Sequence, residues 1–259
     1  NVSLWGNLNH NRNEILKISD ALRAYNQRVN EKYEAAENAQ GNVHLSEWGS
    51  EYSEPEMKYE EGASLTSIFA IRSLGIDPMT GNELFLYRDG SVSSLWKATE
   101  TVRVGDEEPK ASGSFGVNLT YKNLTLFASF AYDWGKQTYN QTLVDGVENA
   151  DIENSNVDRR VLTQRWQKPG DIAPLRNIKD MNTSTMPTSR FVQDDNELSL
   201  SALTLSYDFN TDWLKKIRLK MLRLELSTND LFRASTVRLE RGTSYPFART
   251  FNFSLRATF

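Results

Sequence analysis

The run Thr250-Phe251-Asn252-Phe253-Ser254-Leu255-Arg256-Ala257-Thr258-Phe259 carries an aromatic or aliphatic side chain at every second position up to the last residue. A strand points successive side chains to opposite faces. Phe251, Phe253, Leu255, Ala257 and Phe259 therefore share one face, and the polar residues between them share the other. An exposed, apolar edge strand is an aggregation hazard. Closure into a barrel, or deep packing in a sandwich, removes it.

Working outward, the same period recurs. Phe115, Val117, Leu119 and Tyr121 are in phase, Lys122-Asn123 is a tight polar turn, and Leu126, Ala128, Phe130, Tyr132 and Trp134 follow in phase, which predicts a hairpin. Leu198 to Phe209 and Ile217 to Ser227 are further strands. Their apolar phase slips between Ala202 and Leu203 and between Met221 and Leu222, as a β-bulge would make it. Asn1 to Leu8 alternates from the first residue, so the chain reads as a fragment or a processed product.

The connections differ in length. Lys122-Asn123 and Asn210 to Lys216 are short, whereas the polar segment from Trp134 to Asn196 and the excursion after Ser227, with Tyr245-Pro246-Phe247, are long. Traced back from Phe259, both short turns fall on the C-terminal side. Outer-membrane barrels have this layout, with an apolar face toward lipid and a polar face toward a wet lumen. A soluble β-sandwich with one solvated face explains the alternation equally well. Aromatics near strand ends (Tyr121, Trp134, Tyr207, Phe209, Trp213, Phe259) suit interfacial girdles or core plugs alike.

The first hundred or so residues are less regular. Leu16 to Ala39, with Ala21, Leu22, Tyr25, Val29 and Tyr33 at helical spacing, predicts a helix. Ala63 to Leu74 predicts a strand, joined through Gly75-Ile76-Asp77-Pro78-Met79-Thr80-Gly81-Asn82-Glu83 to Leu84-Phe85-Leu86-Tyr87 as a small hairpin. Strand parity favours this hairpin riding on one long loop that covers everything from Asn9 to Gly113. A barrel strand at Ala63 to Leu74 would instead put the Lys17–Gly62 segment among the short turns.

Composition narrows the chemistry. The 259 residues carry 30 Lys+Arg against 34 Asp+Glu, a net charge of −4, which argues against a nucleic-acid surface. There is no cysteine, and His10 and His44 are the only imidazoles, so thiol catalysis and multi-histidine metal sites are excluded. The mean hydropathy of −0.57 looks like solubility, yet a wet lumen with long loops gives the same average. No stretch is apolar enough for a transmembrane helix. Asp77, Thr80 and Glu83 fit a turn better than a calcium loop, and Asp194-Asp195-Asn196-Glu197 a solvated loop better than a metal site. Arg159-Arg160 and Arg165-Trp166 can bind an anion or stack on a sugar ring, though packing within a loop is the plainer reading. There is no phosphate loop and no GxSxG motif, so no enzyme and no cofactor is expected.

Several segments, in this order, resemble the SusC/RagA-like TonB-dependent outer-membrane transporters of Bacteroidetes. They are Asn9-His10-Asn11-Arg12-Asn13-Glu14-Ile15, the Gly75–Glu83 segment, Asn156 to Asp171 with Arg165-Trp166-Gln167-Lys168-Pro169-Gly170, and Thr188 to Asn196. Leu205–Tyr207, Asn229-Asp230-Leu231-Phe232 and Tyr245 to Phe259 complete the series. The resemblance implies an all-β fold: an antiparallel transmembrane β-barrel portion, the C-terminal strands of a barrel of about 22 strands, with long extracellular loops and a short helix. It implies that 1–259 is the C-terminal part of the barrel, with the plug domain absent from this chain. The complete protein would sit in the bacterial outer membrane and import a glycan or an oligopeptide. Its partners would be a SusD-like surface lipoprotein as lid, the TonB system through the missing N-terminal part, and outer-membrane lipid. Trp96, Tyr139, Arg165 and Trp166 are then expected on the external face, in contact with substrate or lid. Phe251, Phe253 and terminal Phe259 are expected to serve as the barrel-assembly signal. The competing reading is a soluble β-sandwich, either a carbohydrate-binding or a structural module.

Overall fold

The strict alternation at both ends of the chain and at its centre forms one sheet in the computed structural model, which describes residues 1–39, 52–152, 156–178, 184–209, 214, 218–238 and 249–259. In chain order the strands are β1 (Val2–Asn9), β2 (Ser67–Ala70), β3 (Arg72–Ile76), β4 (Glu83–Leu86), β5 (Val92–Ser93) and β6 (Val102–Asp106). They continue as β7 (Ala111–Tyr121), β8 (Leu124–Tyr139), β9 (Val192–Phe209), β10 (Met221–Asn229), β11 (Arg233–Ser235) and β12 (Phe251–Thr258). The main sheet runs β1-β7-β8-β9-β10-β12, antiparallel throughout, with β11 continuing beside β9 above the end of β10.

Register decides which residues share a face. Val2 lies opposite Leu119, Leu119 opposite Leu126, Leu126 opposite Leu205, Leu205 opposite Leu226, and Leu226 opposite Phe253. A second row runs Tyr121, Leu124, Tyr207, Leu224, Leu255. Directly opposed residues point to the same side, so these rows make one continuous apolar face. Among the described residues nothing covers it: Leu4 is 77% exposed and Phe253 71%. The opposite face is polar apart from Phe127 and Trp5, with the row Asn118, Phe127, Thr204, Ser227, Asn252 and the row Thr120, Thr125, Ser206, Glu225, Ser254.

The phase slip in β9 is a bulge. Ser129 pairs with Ala202 but Phe130 with Leu200, which leaves Ser201 as the extra residue and keeps Leu198, Leu200, Leu203 and Leu205 on the apolar side. The bulge expected in the next strand is absent. β10 pairs with β9 from Leu222 to Asn229 without a shift, and the slip at Met221 falls at the strand's end. Ile217, Trp213, most of the Asn210–Lys216 connection, Tyr245-Pro246-Phe247 and His44 lie outside the described residues.

β8 and β9 are longer than expected, with 16 and 18 residues, where roughly 9–11 suffice to cross a bilayer. The surplus contains Asp194-Asp195-Asn196-Glu197, which is strand rather than loop. Its side chains alternate, and each side is satisfied: Lys136 lies 3.2 Å from Asp195, Gln137 donates to Asp194 and Arg233 to Glu197.

The segment between β1 and β7 leaves and returns at one rim, since Asn9 pairs with Ser112. This agrees with reading it as a single long loop. Within it, α1 (Asp20–Ala39) starts at Asp20 rather than Leu16 because the Ser19 Oγ accepts the Leu22 amide at 3.3 Å and caps it. Val29, Tyr33 and Ala36 form its buried stripe, against Ile71, Phe85, Tyr87, Trp96, Ala98 and Met186. The single strand expected over Ala63 to Leu74 is two. β2 pairs with β6, β3 pairs with β4, and between them Ile71 bridges to Thr188.

Candidate functional site

Two regions can act on a solute: the polar face of the sheet and the loop body at its long-loop rim. On the polar face Arg223 grips Asp208 through two hydrogen bonds of 2.6 and 2.8 Å, with both side chains about a third exposed. Higher on the same face, Lys136 sits between Asp195 and Glu197, and Ser235 donates to Asp195 at 2.7 Å. Apart from Phe127 and Trp5, small and polar side chains floor the rest. Trp5 lies over Gly116, where an added Cβ would come within 2.6 Å of the ring.

The loop body has its own core and a buried ion cluster at its seam. Arg190 reaches Glu83 at 2.8 Å and Glu148 at 2.6 Å, joining the β4 hairpin to the loop that follows β8. Thr188 donates its hydroxyl to the other Glu83 oxygen at 2.8 Å. Burial pulls the Arg190 guanidinium down, but the two carboxylates more than offset this and hold it above its ordinary range. The arrangement is a bracket between segments distant in sequence.

The four loop residues singled out from sequence lie in this body, beneath its surface. Trp96 is buried, donates its indole N–H to the Pro187 carbonyl at 3.0 Å and meets Tyr33 edge-on at 5.4 Å. Tyr139 is half-buried, edge-on to Phe191 at 6.0 Å, beside the Arg190 guanidinium stacked 4.4 Å over that same ring. Arg165 is buried and donates to the carbonyls of Val147, Glu148, Val161 and Arg176, so it ties a loop rather than facing solvent. Trp166 donates to the Pro78 carbonyl at 2.8 Å and covers Gly81, whose φ of 75° and 2.5 Å clearance from the ring leave no room for a side chain. The exposed apolar side chains nearby are Leu162, Ile172 and Met79. Periodicity gives no sign of this burial, because the loop body has no regular face to read.

Asp77 accepts from the Met79 amide at 2.9 Å and the Thr80 hydroxyl at 2.7 Å, which hold its carboxyl below the usual range. With Glu83 committed to Arg190, these residues make a turn. Arg160 chelates Asp158, with contacts of 3.0 and 2.9 Å. Among the described residues no group of three acidic or histidine side chains converges as metal ligands would. Phe251 and Phe253 sit outward on β12, and Phe259 follows it, 79% exposed.

No protein-family model matches the chain. In sequence it is similar to TonB-dependent receptor P39 of Formosa agariphila, 24% identical over 159 residues, covering 60% of this chain and 15% of that protein. TonB-dependent receptor P3 of the same organism is 26% identical over 210 residues, covering 72% of this chain and 20% of its own length. In structure the chain superimposes on the RagAB peptide transporter with a TM-score of 0.64 and 19% identity, over 91% of this chain and 24% of that one. The chain resembles a SusC/RagA-like TonB-dependent transporter in sequence and in fold. Its sheet is therefore a portion of a transmembrane β-barrel, and the apolar rows are the outer wall. This chain spans only 15% and 20% of the two curated relatives.

Proposed function

We propose that this chain is the C-terminal part of the barrel of a SusC/RagA-type nutrient importer in the bacterial outer membrane. It supplies wall on the lipid side, lining on the passage side, and part of the external vestibule. The observation that carries this reading is the unbroken apolar row from Val2 to Phe253, backed by a polar face holding Arg223 and Asp208. A soluble sandwich would bury such a face under a second sheet.

The complete protein would import a glycan or an oligopeptide beneath a SusD-like surface lipoprotein. Energy would come from the TonB system through an N-terminal plug region outside this chain. The role is passage, not catalysis. Trp96, Tyr139, Arg165 and Trp166 shape the external face by holding its loops in place, and exposed neighbours such as Leu162 and Ile172 make the contacts with substrate or lid. Phe251, Phe253 and Phe259 form the assembly signal at the C-terminal strand.

Deletion of the gene followed by growth on oligopeptides or on glycans as the limiting nutrient tests the reading. Loss of growth on one class, restored by the intact gene, is expected. Unimpaired growth on both, with the protein in the soluble fraction, contradicts it.

A further inference from the structure

His10, Asn11, Arg12 and Asn13 line a pocket of about 440 Å³ together with Glu108, Lys110 and Trp134. Its place in the fold is specific. Trp134 is the last outward residue of the apolar run in β8, directly before the bulge at Gly135, and is 65% exposed. His10 continues the outward phase of Leu8 in β1, and its Nδ1 lies 2.5 Å from the Lys110 carbonyl. The pocket thus opens where the lipid-facing wall ends and the loop body begins.

Its charges are unequally committed. Glu108 accepts from the side-chain amides of Asn11 at 2.7 Å and Asn13 at 3.0 Å. Asp106 accepts from Ser64, Thr66 and the Glu108 amide, and Asp194 accepts from Gln137. These carboxylates accept from neutral donors, which fix their positions without neutralising their charge. The cations are not similarly engaged. Arg12 has a side chain 81% exposed and only a 3.6 Å contact with Glu14. Lys110 makes no ion pair among the described residues, and its methylene stem lies against Gly135, beside Trp134. An aliphatic stem on an apolar rim with its ammonium in the polar layer is how lysine sits at a membrane interface, and an exposed tryptophan at the same level marks that interface.

From this we infer that the pocket binds the phosphate-bearing headgroup of an outer-leaflet lipid, with Arg12 and Lys110 on the phosphate and Trp134 against the glycerol or sugar level. The inference rests on the reading that the apolar face meets lipid. It adds a specific contact between the outer leaflet and the loop body, which would anchor the first long loop to the membrane.

The test uses the full-length protein in detergent, titrated with bis-phosphorylated lipid A and with the fully dephosphorylated lipid, and read by native mass spectrometry. The variant is Arg12→Gln/Lys110→Gln, its folding checked by heat-modifiable gel mobility, with Lys17→Gln/Arg28→Gln as the charge-matched control. A roughly thirtyfold loss of phosphorylated lipid in the first variant, with the control unchanged, is expected from the contribution of two interfacial cations. Equal loss in both variants, no loss in either, or equal retention of the dephosphorylated lipid by the unaltered protein overturns the inference while leaving the barrel reading intact. Displacement of the lipid by millimolar inorganic phosphate alone also overturns it, in favour of a soluble anion. A protein that needs no detergent and retains neither lipid overturns both.

Discussion

Arg190 ties together two distant segments of the loop body. It faces Glu83 and Glu148, both buried, and its removal leaves Glu83 with the Thr188 hydroxyl and Glu148 with the more distant Arg176 guanidinium at 3.7 Å. Breaking a buried pair by deleting one partner costs about 3–5 kcal/mol. Arg190→Met should therefore open the loops to limited proteolysis while the strands stay protected, and Glu83→Gln/Glu148→Gln in the same background should restore part of the resistance. Lys58 gives the pH signature. Burial and then Arg88 lower its pKa from 10.5 to about 8, although its ammonium donates to Thr101 at 2.6 Å. Between about pH 8 and 10.5 the unfolded chain holds a proton that the folded chain has lost, so stability rises with pH across that window. Thermal unfolding of the loop body should show this rise, and Lys58→Met should flatten it. These roles are hidden in the sequence, where Arg190 and Lys58 look like ordinary polar loop residues. What commits them is packing between segments far apart in the chain.

Strands are where the sequence speaks most clearly, and the reason is physical. A wall with lipid on one side and water on the other imposes a period of two, and β7, β10 and β12 carry it openly. Beyond the membrane level both sides of a strand can be polar, and the period fades. The upper parts of β8 and β9, through Lys136 and Asp195, therefore read as loop although they are paired strand. The bulge at Ser201 shows in the pattern because it must restore the apolar phase, whereas the slip at Met221 is only a strand end. The two faces should respond differently to charge. Leu126 faces out and Thr204 faces in. Phe130, on the same outward face and about midway between the short turn and Trp134, lies near the bilayer midplane, and Phe130→Arg should cost about 2–4 kcal/mol, lowering the folded fraction in a urea titration in liposomes. Thr204→Arg should leave that titration nearly unchanged.

At the scale of the molecule, a low mean hydropathy and a membrane-spanning wall are compatible because alternate residues of each strand are polar and the loop body buries only its own small cores. β1 and β12 each pair on one side only among the described residues, as befits a sheet that is part of a larger ring. The ring's size, the passage and the lid belong to the whole importer proposed above. Within this chain, neighbouring residues of one strand face lipid and water in turn. This chain contributes no cysteine, so single nitroxide labels can be placed at positions 126, 127, 204 and 205 of the full-length protein in liposomes. Collision with oxygen, which concentrates in the bilayer, and with a water-soluble nickel chelate then reports each side. Labels at 126 and 205 should be oxygen-accessible and labels at 127 and 204 nickel-accessible. Equal accessibility at all four positions, or nickel contact at 126 and 205, would contradict this alternation.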